Sequence, residues 1–369
     1  MKENLLIYAA SDTDADLFHA TRFLAVDPVV FLQVGRKKIL ILSDLEIGRG
    51  RAQARVDEVL SLSEFDRRIG KGVPVDRLIG RVLRERGVRR VTVPHNFPLE
   101  LADRLRAQRI GVTPRPAPFF PGRVRKTAEE VRWIEAAQRA VEEATGKAID
   151  LLRRARVRGN KVVHGGEVVT SESLKRVINV ALMERNCVGK DTIVAPADQG
   201  CDPHHQGSGP IRPDRTLIID VFPRSGDTRY FADMTRTVVK GKASPAVKKM
   251  YAAVKEAQEA VFGSLRAGAD GRALHREVQE VFRGLGYRTG PRGKKMEGFF
   301  HGTGHGVGLD IHEAPSIGLK GTRMEAGAVV TVEPGLYYWG IGAVRLEDMV
   351  LVTRTGCRNL TRFPKELEV

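Results

Sequence analysis

The sequence predicts an α+β protein in two domains, a smaller N-terminal α/β domain over residues 1–122 and a larger C-terminal domain over 123–369. Three observations predict it. A chain of 369 residues suits about two domains of roughly 150 residues each. Four prolines fall within PRPAPFFPGRVR (114–125), a density that punctuates a chain between domains. Short strand and helix patterns alternate before that stretch. Pairs of amphipathic helices and β-rich runs follow one another after it.

The elements follow in order. DPVVFLQV and KKILILSD read as a strand pair around Gly35 and Arg36. VDRLIGRVLRERG is a helix followed by the strand RRVTVP, and LELADRLRAQRIG is a helix followed by another strand-like stretch. In the C-terminal part, Thr127 and Glu130 have the capping-box spacing, with Val131, Ile134, Ala137 and Val141 at helical intervals behind them. SESLKRVINVALMERN is a second helix. TLIIDVF and YFADMTRTVV are β-rich and separated by the turn residues PRSGDTR, the pattern of a hairpin. Ser244-Pro245 starts a third helix, proline being tolerated in the first turn, and HREVQEVFRGLG is a fourth. The histidine-rich HGTGHGVGLDIHEAP, GAVVTVEPGLYY and GAVRLEDMVLVT close the chain as strand-like runs.

Composition narrows the function class. Hydrophobic residues at 42% and charged ones at 29% fit a globular protein with a sizeable core. No run approaches the ~20 apolar residues of a membrane span, and the apolar run Leu5–Ala10 is short for a secretion signal. The three cysteines, Cys187, Cys201 and Cys357, are odd in number and widely spaced, which fits a reducing cytoplasm. Net charge is +16, and the first 125 residues hold 23 Lys/Arg against 15 Asp/Glu. The charges are spread out and aromatic residues make up only 6%, so no stacking platform for nucleic acid is visible.

Four strand-like runs carry an acid among apolar neighbours: Asp220 in LIIDVF, Asp233 in FADMTRT, Glu333 in VVTVEPG and Glu347 in VRLEDMV. Burying one carboxylate is costly and clustering four is worse, since like charges raise one another's pKa. Together with His305 they are better explained by cations. Four carboxylates balance two divalent ions. Ligands that are mostly oxygen with one imidazole favour Mn2+, Co2+ or Fe2+ over a structural zinc. HGTGHGVGLDIHEAP holds three of the nine histidines and alternates glycines between them. The glycines argue against a helix. An extended reading puts His301, Thr303 and His305 on one face, with room for close backbone approach, and His312 then needs a turn or bulge to rejoin them.

With DMTRT after Asp233, GHGVGLDIHEAP around His305, VEPGLY around Glu333 and VRLED around Glu347, residues 125–365 resemble the pita-bread metallopeptidases. These include methionine aminopeptidase, Xaa-Pro aminopeptidase and prolidase. The resemblance implies a C-terminal pita-bread (creatinase/aminopeptidase-like) catalytic domain at 123–369 and a creatinase-like α/β domain at 1–122. It implies two divalent metal ions per chain, Mn2+ or Co2+ ahead of Fe2+ or Zn2+, on Asp220, Asp233, His305, Glu333 and Glu347. Asp220 would chelate one ion, His305 and Glu333 the other, and Asp233 and Glu347 would bridge. Glu333 would carry a proton from the attacking water to the leaving amine. His204 matches the histidine above the metals, ahead of its neighbour His205. His312 would hydrogen-bond the scissile carbonyl, and His301 would line the substrate cleft. His19, His95, His164 and His275 are read as structural. Arg236 and Arg345 stand near ligand acids, either orienting them or pairing at the surface. The two Asp are thirteen residues apart against the family's usual eleven, which reads as a longer hairpin loop.

The N-terminal domain points within the family to an Xaa-Pro aminopeptidase or Xaa-Pro dipeptidase acting on a peptide substrate. A cytoplasmic homodimer without membrane or nucleic-acid partner is the accompanying expectation. The alternatives are a methionine-type aminopeptidase, a catalytically inactive pita-bread binding module using the basic surface, and a creatinase-like enzyme without metal.

Overall fold

A computed structural model describes residues 3–69 and 72–369. The chain divides into two compact units, Met1–Arg123 and Val124–Val369. Among the described residues no helix is long and apolar enough to cross a membrane.

The first unit runs β1 (Leu5–Ala9), α1 (Ala15–Thr21), β2 (Val29–Val34), β3 (Lys37–Leu42), α2 (Ile47–Gln53), β4 (Glu58–Ser61), α3 (Leu62–Ile69), α4 (Val75–Glu85), β5 (Arg90–Pro94), α5 (Leu99–Ala107) and β6 (Gly111–Arg115). Its strands form one mixed sheet in the order β4-β3-β2-β1-β5-β6. The expected β2–β3 pair is antiparallel and turns at Gly35, whose φ of 64° suits glycine. Period-two alternation makes both faces apolar. Leu6, Leu32, Ile39 and Ile41 meet Leu78, Val82 and Leu105 of α4 and α5 on one face. Leu5, Ile7, Phe31, Leu40 and Leu42 meet Leu17 of α1 on the other. Each such side chain contributes about 1.5–3 kcal/mol on burial.

The second unit opens with α6 (Ala128–Arg154), whose capping box forms as expected. A small antiparallel sheet follows, β7 (Arg156–Arg158), β8 (Lys161–His164) and β9 (Glu167–Val168), then α7 (Ser171–Glu184), β10 (Cys187–Val188), β11 (Ile193–Pro196), β12 (Thr216–Val221), β13 (Arg224–Ser225) and β14 (Met234–Val239). Next come α8 (Pro245–Ser264), capped by Ser244, and α9 (Gly271–Gly284). The rest is β15 (Gly290–Arg292), β16 (Lys295–Glu297), β17 (Gly304–Gly306), β18 (Glu313–Ile317), β19 (Val329–Val332), β20 (Gly335–Tyr338), β21 (Gly342–Arg345), β22 (Asp348–Val352) and β23 (Cys357–Asn359). Two sheets bear the site: β11-β12-β14, and β18-β17-β19-β22-β23. Val254 and Val261 of α8 and Leu274 and Val278 of α9 cover the latter through Val330, Val332 and Val350.

β12 and β14 form the expected hairpin, with Asp220 opposite Thr235. Its long connection is pinned, because β13 pairs with β10 and the Gly226 amide donates to the Asn186 carbonyl at 2.7 Å. Two expectations need correction. Of the four acids only Asp220 lies within a strand; Asp233 precedes β14, Glu333 follows β19 and Glu347 precedes β22, each by one residue. Outside the ladder the backbone is free to leave the pleat, so all four can reach one cavity. The histidine stretch is also less regular than a strand. Only Gly304–Gly306 is extended in β17, with a register shift between His305 and Gly306, and Thr303 turns to His275 at 2.9 Å. His301, Thr303 and His305 therefore do not share one face.

Candidate metal centre and active site

A cavity of about 300 Å3 lies between the two sheets. Asp220, Asp233, His305, Glu333 and Glu347 line it together with His204, His301 and His312, so the five expected ligands and three of the candidate histidines reach one place. The glycines between the histidines are explained by close approach. A Cβ on Gly304 would collide with the Thr331 carbonyl, and one on Gly306 with the Ala314 carbonyl.

The core of the cluster is tight. One ligand atom from each of Asp233, His305 and Glu347 lies within 4.8 Å of the others, a group able to hold a metal ion. His305 Nε2 stands 3.4 Å from Glu333 Oε1 and 3.7 Å from Asp233 Oδ2. Its Nδ1 faces the Gly306 carbonyl at 3.2 Å, so Nδ1 carries the proton and Nε2 offers a lone pair to the cavity. Thr235 donates to Glu347 at 2.7 Å and Thr331 to Glu333 at 3.3 Å. Asp220 Oδ1 and Asp233 Oδ1 are buried without a hydrogen-bond partner.

Three of the four acids resist ionisation. Burial, then Glu347, Asp220 and Glu333, push Asp233 well above the usual carboxylate range, and burial with Glu333 and Asp220 does the same to Glu347. Burial carries Glu333 up to about 7. Burial also lowers His301 to about 3 and depresses His305 and His312, so the imidazoles favour their neutral, lone-pair-bearing form.

Both arginines left open by the sequence are internal. Arg345 Nη2 bonds Asp220 at 2.6 Å and its Nη1 donates to the Tyr337 hydroxyl at 3.0 Å. Tyr337 in turn meets His301 Nε2 at 2.8 Å, while His301 Nδ1 meets the Gly302 carbonyl at 2.7 Å. The hydrogens then run one way, from guanidinium to phenol to imidazole. Burial opposes the Arg345 charge, yet Tyr337, Asp220 and Glu333 hold it protonated. Arg236 bonds the side chain of none of the expected ligands. It braces the backbone of one, donating to the Glu347 carbonyl at 2.7 Å and to Asp348 at 2.8 Å. His204 stands exposed at the rim, and His205 turns back to accept from the Gly207 amide at 2.9 Å. His312 lies against His305 with ring centroids 4.3 Å apart, the approach the expected bulge makes possible. His275 is buried and paired with Thr303, the structural role expected.

The sequence reading missed Tyr337, Thr235 and Thr331. The threonines had a signal: each lies two residues from an acid, Asp233 and Glu333 respectively, in an otherwise apolar run. Tyr337 had none, since an aromatic residue in a strand needs no further reason.

The profile of metallopeptidase family M24 matches residues 132–354. The chain belongs to this family. It is 31% identical over 252 residues to an Xaa-Pro dipeptidase of Pyrococcus furiosus, covering 66% of this chain and 65% of that protein. It is 38% identical over 208 residues to Xaa-Pro aminopeptidase 1 of Streptomyces coelicolor, covering 49% and 42%. The chain thus spans less than two thirds of the length of these curated relatives. The solved Xaa-Pro dipeptidase from Bacillus anthracis superposes with a TM-score of 0.84 at 23% identity, over 100% of this chain and 95% of that one. The X-Pro aminopeptidase from Thermotoga maritima MSB8 superposes at 0.82 and 22%, over 100% and 97%. This M24 chain therefore has the expected α+β pita-bread fold.

Proposed function

We propose that this chain is a dinuclear-metal aminopeptidase that hydrolyses the Xaa-Pro bond at the N-terminus of peptides or in dipeptides. The observation that carries the reading is the convergence of four carboxylates and His305 on one cavity, with Asp220 Oδ1 and Asp233 Oδ1 left without partners. The relatives named for Xaa-Pro cleavage support it.

The residues fit a pair of divalent ions. The donor set is oxygen-rich with one imidazole, which suits Mn2+ or Co2+. Arg345 alters the charge balance expected from the sequence, since four ionised carboxylates and one guanidinium leave −3. Two divalent ions would turn that to +1, a field that favours loss of a proton from water in the cavity. Asp220 would hold one ion, His305 and Glu333 the other, and Asp233 and Glu347 both. Such ions supply Lewis acidity that activates water and polarises a carbonyl.

The chain's own groups do the rest. Glu333 receives the proton of the attacking water and delivers it to the leaving imino nitrogen of proline. Transfer of this kind is worth about 10²–10⁴-fold. His312 and His204, both lining the cavity, donate to the scissile carbonyl. His301, held by Tyr337, lines the cleft with Ile193, Phe222 and Ile311, an apolar wall suited to a pyrrolidine ring. Residues 1–122 serve as the creatinase-like domain that distinguishes Xaa-Pro peptidases from simple methionine aminopeptidases. Residues 123–369 serve as the catalytic domain. The working assembly is a cytoplasmic homodimer, a compartment consistent with three free cysteines.

Ala-Pro, a longer Xaa-Pro peptide and a Met-Ala peptide, offered to the Mn2+-loaded protein, test the reading. Hydrolysis of one or both Xaa-Pro substrates, with Met-Ala left intact, is expected. Cleavage of Met-Ala alone overturns it.

A further inference from the structure

Gln258 lies on α8, fully buried beneath the sheet that carries two of the acids. Its neighbours Val254, Ala257 and Val261 belong to an apolar layer that includes Val332 and Leu346. An amide in such a place costs about 1–3 kcal/mol unless it is hydrogen-bonded. Nε2 is bonded twice, to the Val332 carbonyl at 2.8 Å and the Leu346 carbonyl at 3.2 Å. Two carbonyl oxygens fix which end of the amide faces them, and Oε1 is left without a partner.

Those carbonyls belong to the residues immediately before Glu333 and Glu347. The ladder between β19 and β22 ends at the pair Val332 and Asp348. Beyond it the two backbones part. The Glu333 amide donates to the Thr303 carbonyl at 2.8 Å, just before β17, and the Glu347 amide to the Thr235 carbonyl at 3.1 Å, in β14. The direct bond across the gap is long, from the Leu346 amide to the Pro334 carbonyl at 3.4 Å. One amide nitrogen thus spans the place where the sheet opens.

We propose that Gln258 is a positioning residue: it joins the backbones of Glu333 and Glu347 where the ladder lapses and so sets the gap between their carboxylates. The inference rests on reading the cavity as a two-ion centre. Partners of this kind behind metal ligands are worth about 10–100-fold in metal affinity.

The test uses wild type, Q258M and Q258N, stripped of metal by chelation and titrated calorimetrically with Mn2+. Methionine keeps the length and removes the donor; asparagine keeps the donor and is too short to reach both carbonyls, so either variant suffices should the other fail to fold. Unfolding midpoints are read with and without saturating Mn2+. About 10–100-fold weaker Mn2+ binding and a smaller Mn2+-induced rise in midpoint are expected. A merely structural glutamine would lower the metal-free midpoint and leave Mn2+ affinity at the wild-type value. That result, with wild type binding two ions, overturns this inference alone; a wild type that binds none overturns the two-ion reading and the inference with it.

Discussion

The two units handle charge in opposite ways. In the N-terminal unit the sheet is apolar on both faces and ion pairs such as Arg81–Glu85, Arg104–Glu100 and Arg106–Asp103 stand exposed on its helices. The C-terminal unit has exposed pairs too, such as Arg153–Asp150 and Lys147–Glu184, but it adds internal ones. Arg236 and Asp348 are each 2% exposed, Lys126 and Glu313 2% and 9%, and Arg345 and Asp220 4% and 11%. Exposed pairs typically contribute 0.2–1 kcal/mol, whereas breaking a buried pair costs about 3–5 kcal/mol. The first unit can lose a charge and keep its fold. The second gathers carboxylates that one arginine does not balance, an arrangement suited to cations.

The largest effect falls on the cluster itself. Glu333→Ala should lower kcat for an Xaa-Pro substrate by about 10²–10⁴-fold while the circular dichroism spectrum is retained. Activity within a few fold of wild type would separate the acids from catalysis and remove the functional half of the contrast.

Next comes the pair between Lys126 and Glu313, 2.5 Å apart and just beyond His312. Lys126→Met removes the cation beside the buried Glu313 carboxylate and should cost about 3–5 kcal/mol in urea unfolding. The double variant with Glu313→Gln should recover part of that loss, because coupled partners do not add. A single-variant cost below about 1 kcal/mol would make this pair no different from the exposed ones.

The smallest effect belongs to the N-terminal unit. Arg104→Ala, on an exposed helix, should change stability by less than about 1 kcal/mol. A larger loss would show that this unit too depends on its charges.

Much of the fold and of the site was legible in the sequence, for identifiable reasons. Acids within apolar runs stood out because a core strand should not hold them, and Thr127 with Glu130 announced α6 because capping needs that spacing. What stayed hidden depends on distance along the chain. Arg345 meets Asp220 across 125 residues and Gln258 meets Val332 across 74, and no local pattern reports either meeting. The displacement of Asp233, Glu333 and Glu347 from strand interiors to strand ends was hidden too, because the same apolar neighbours flank both positions. The sequence reading also balanced four carboxylates against metal alone; Arg345 was in view, but its position inside the cavity was not.

The central claim is that these buried acids are held together by paired divalent ions. Elemental analysis of purified wild type and Asp233→Asn, each loaded with Mn2+ and then desalted, tests it most directly. Two ions per wild-type chain and a reduced count in the variant are predicted. A wild-type chain that retains none, after Mn2+ and then Co2+ have been offered, would contradict it.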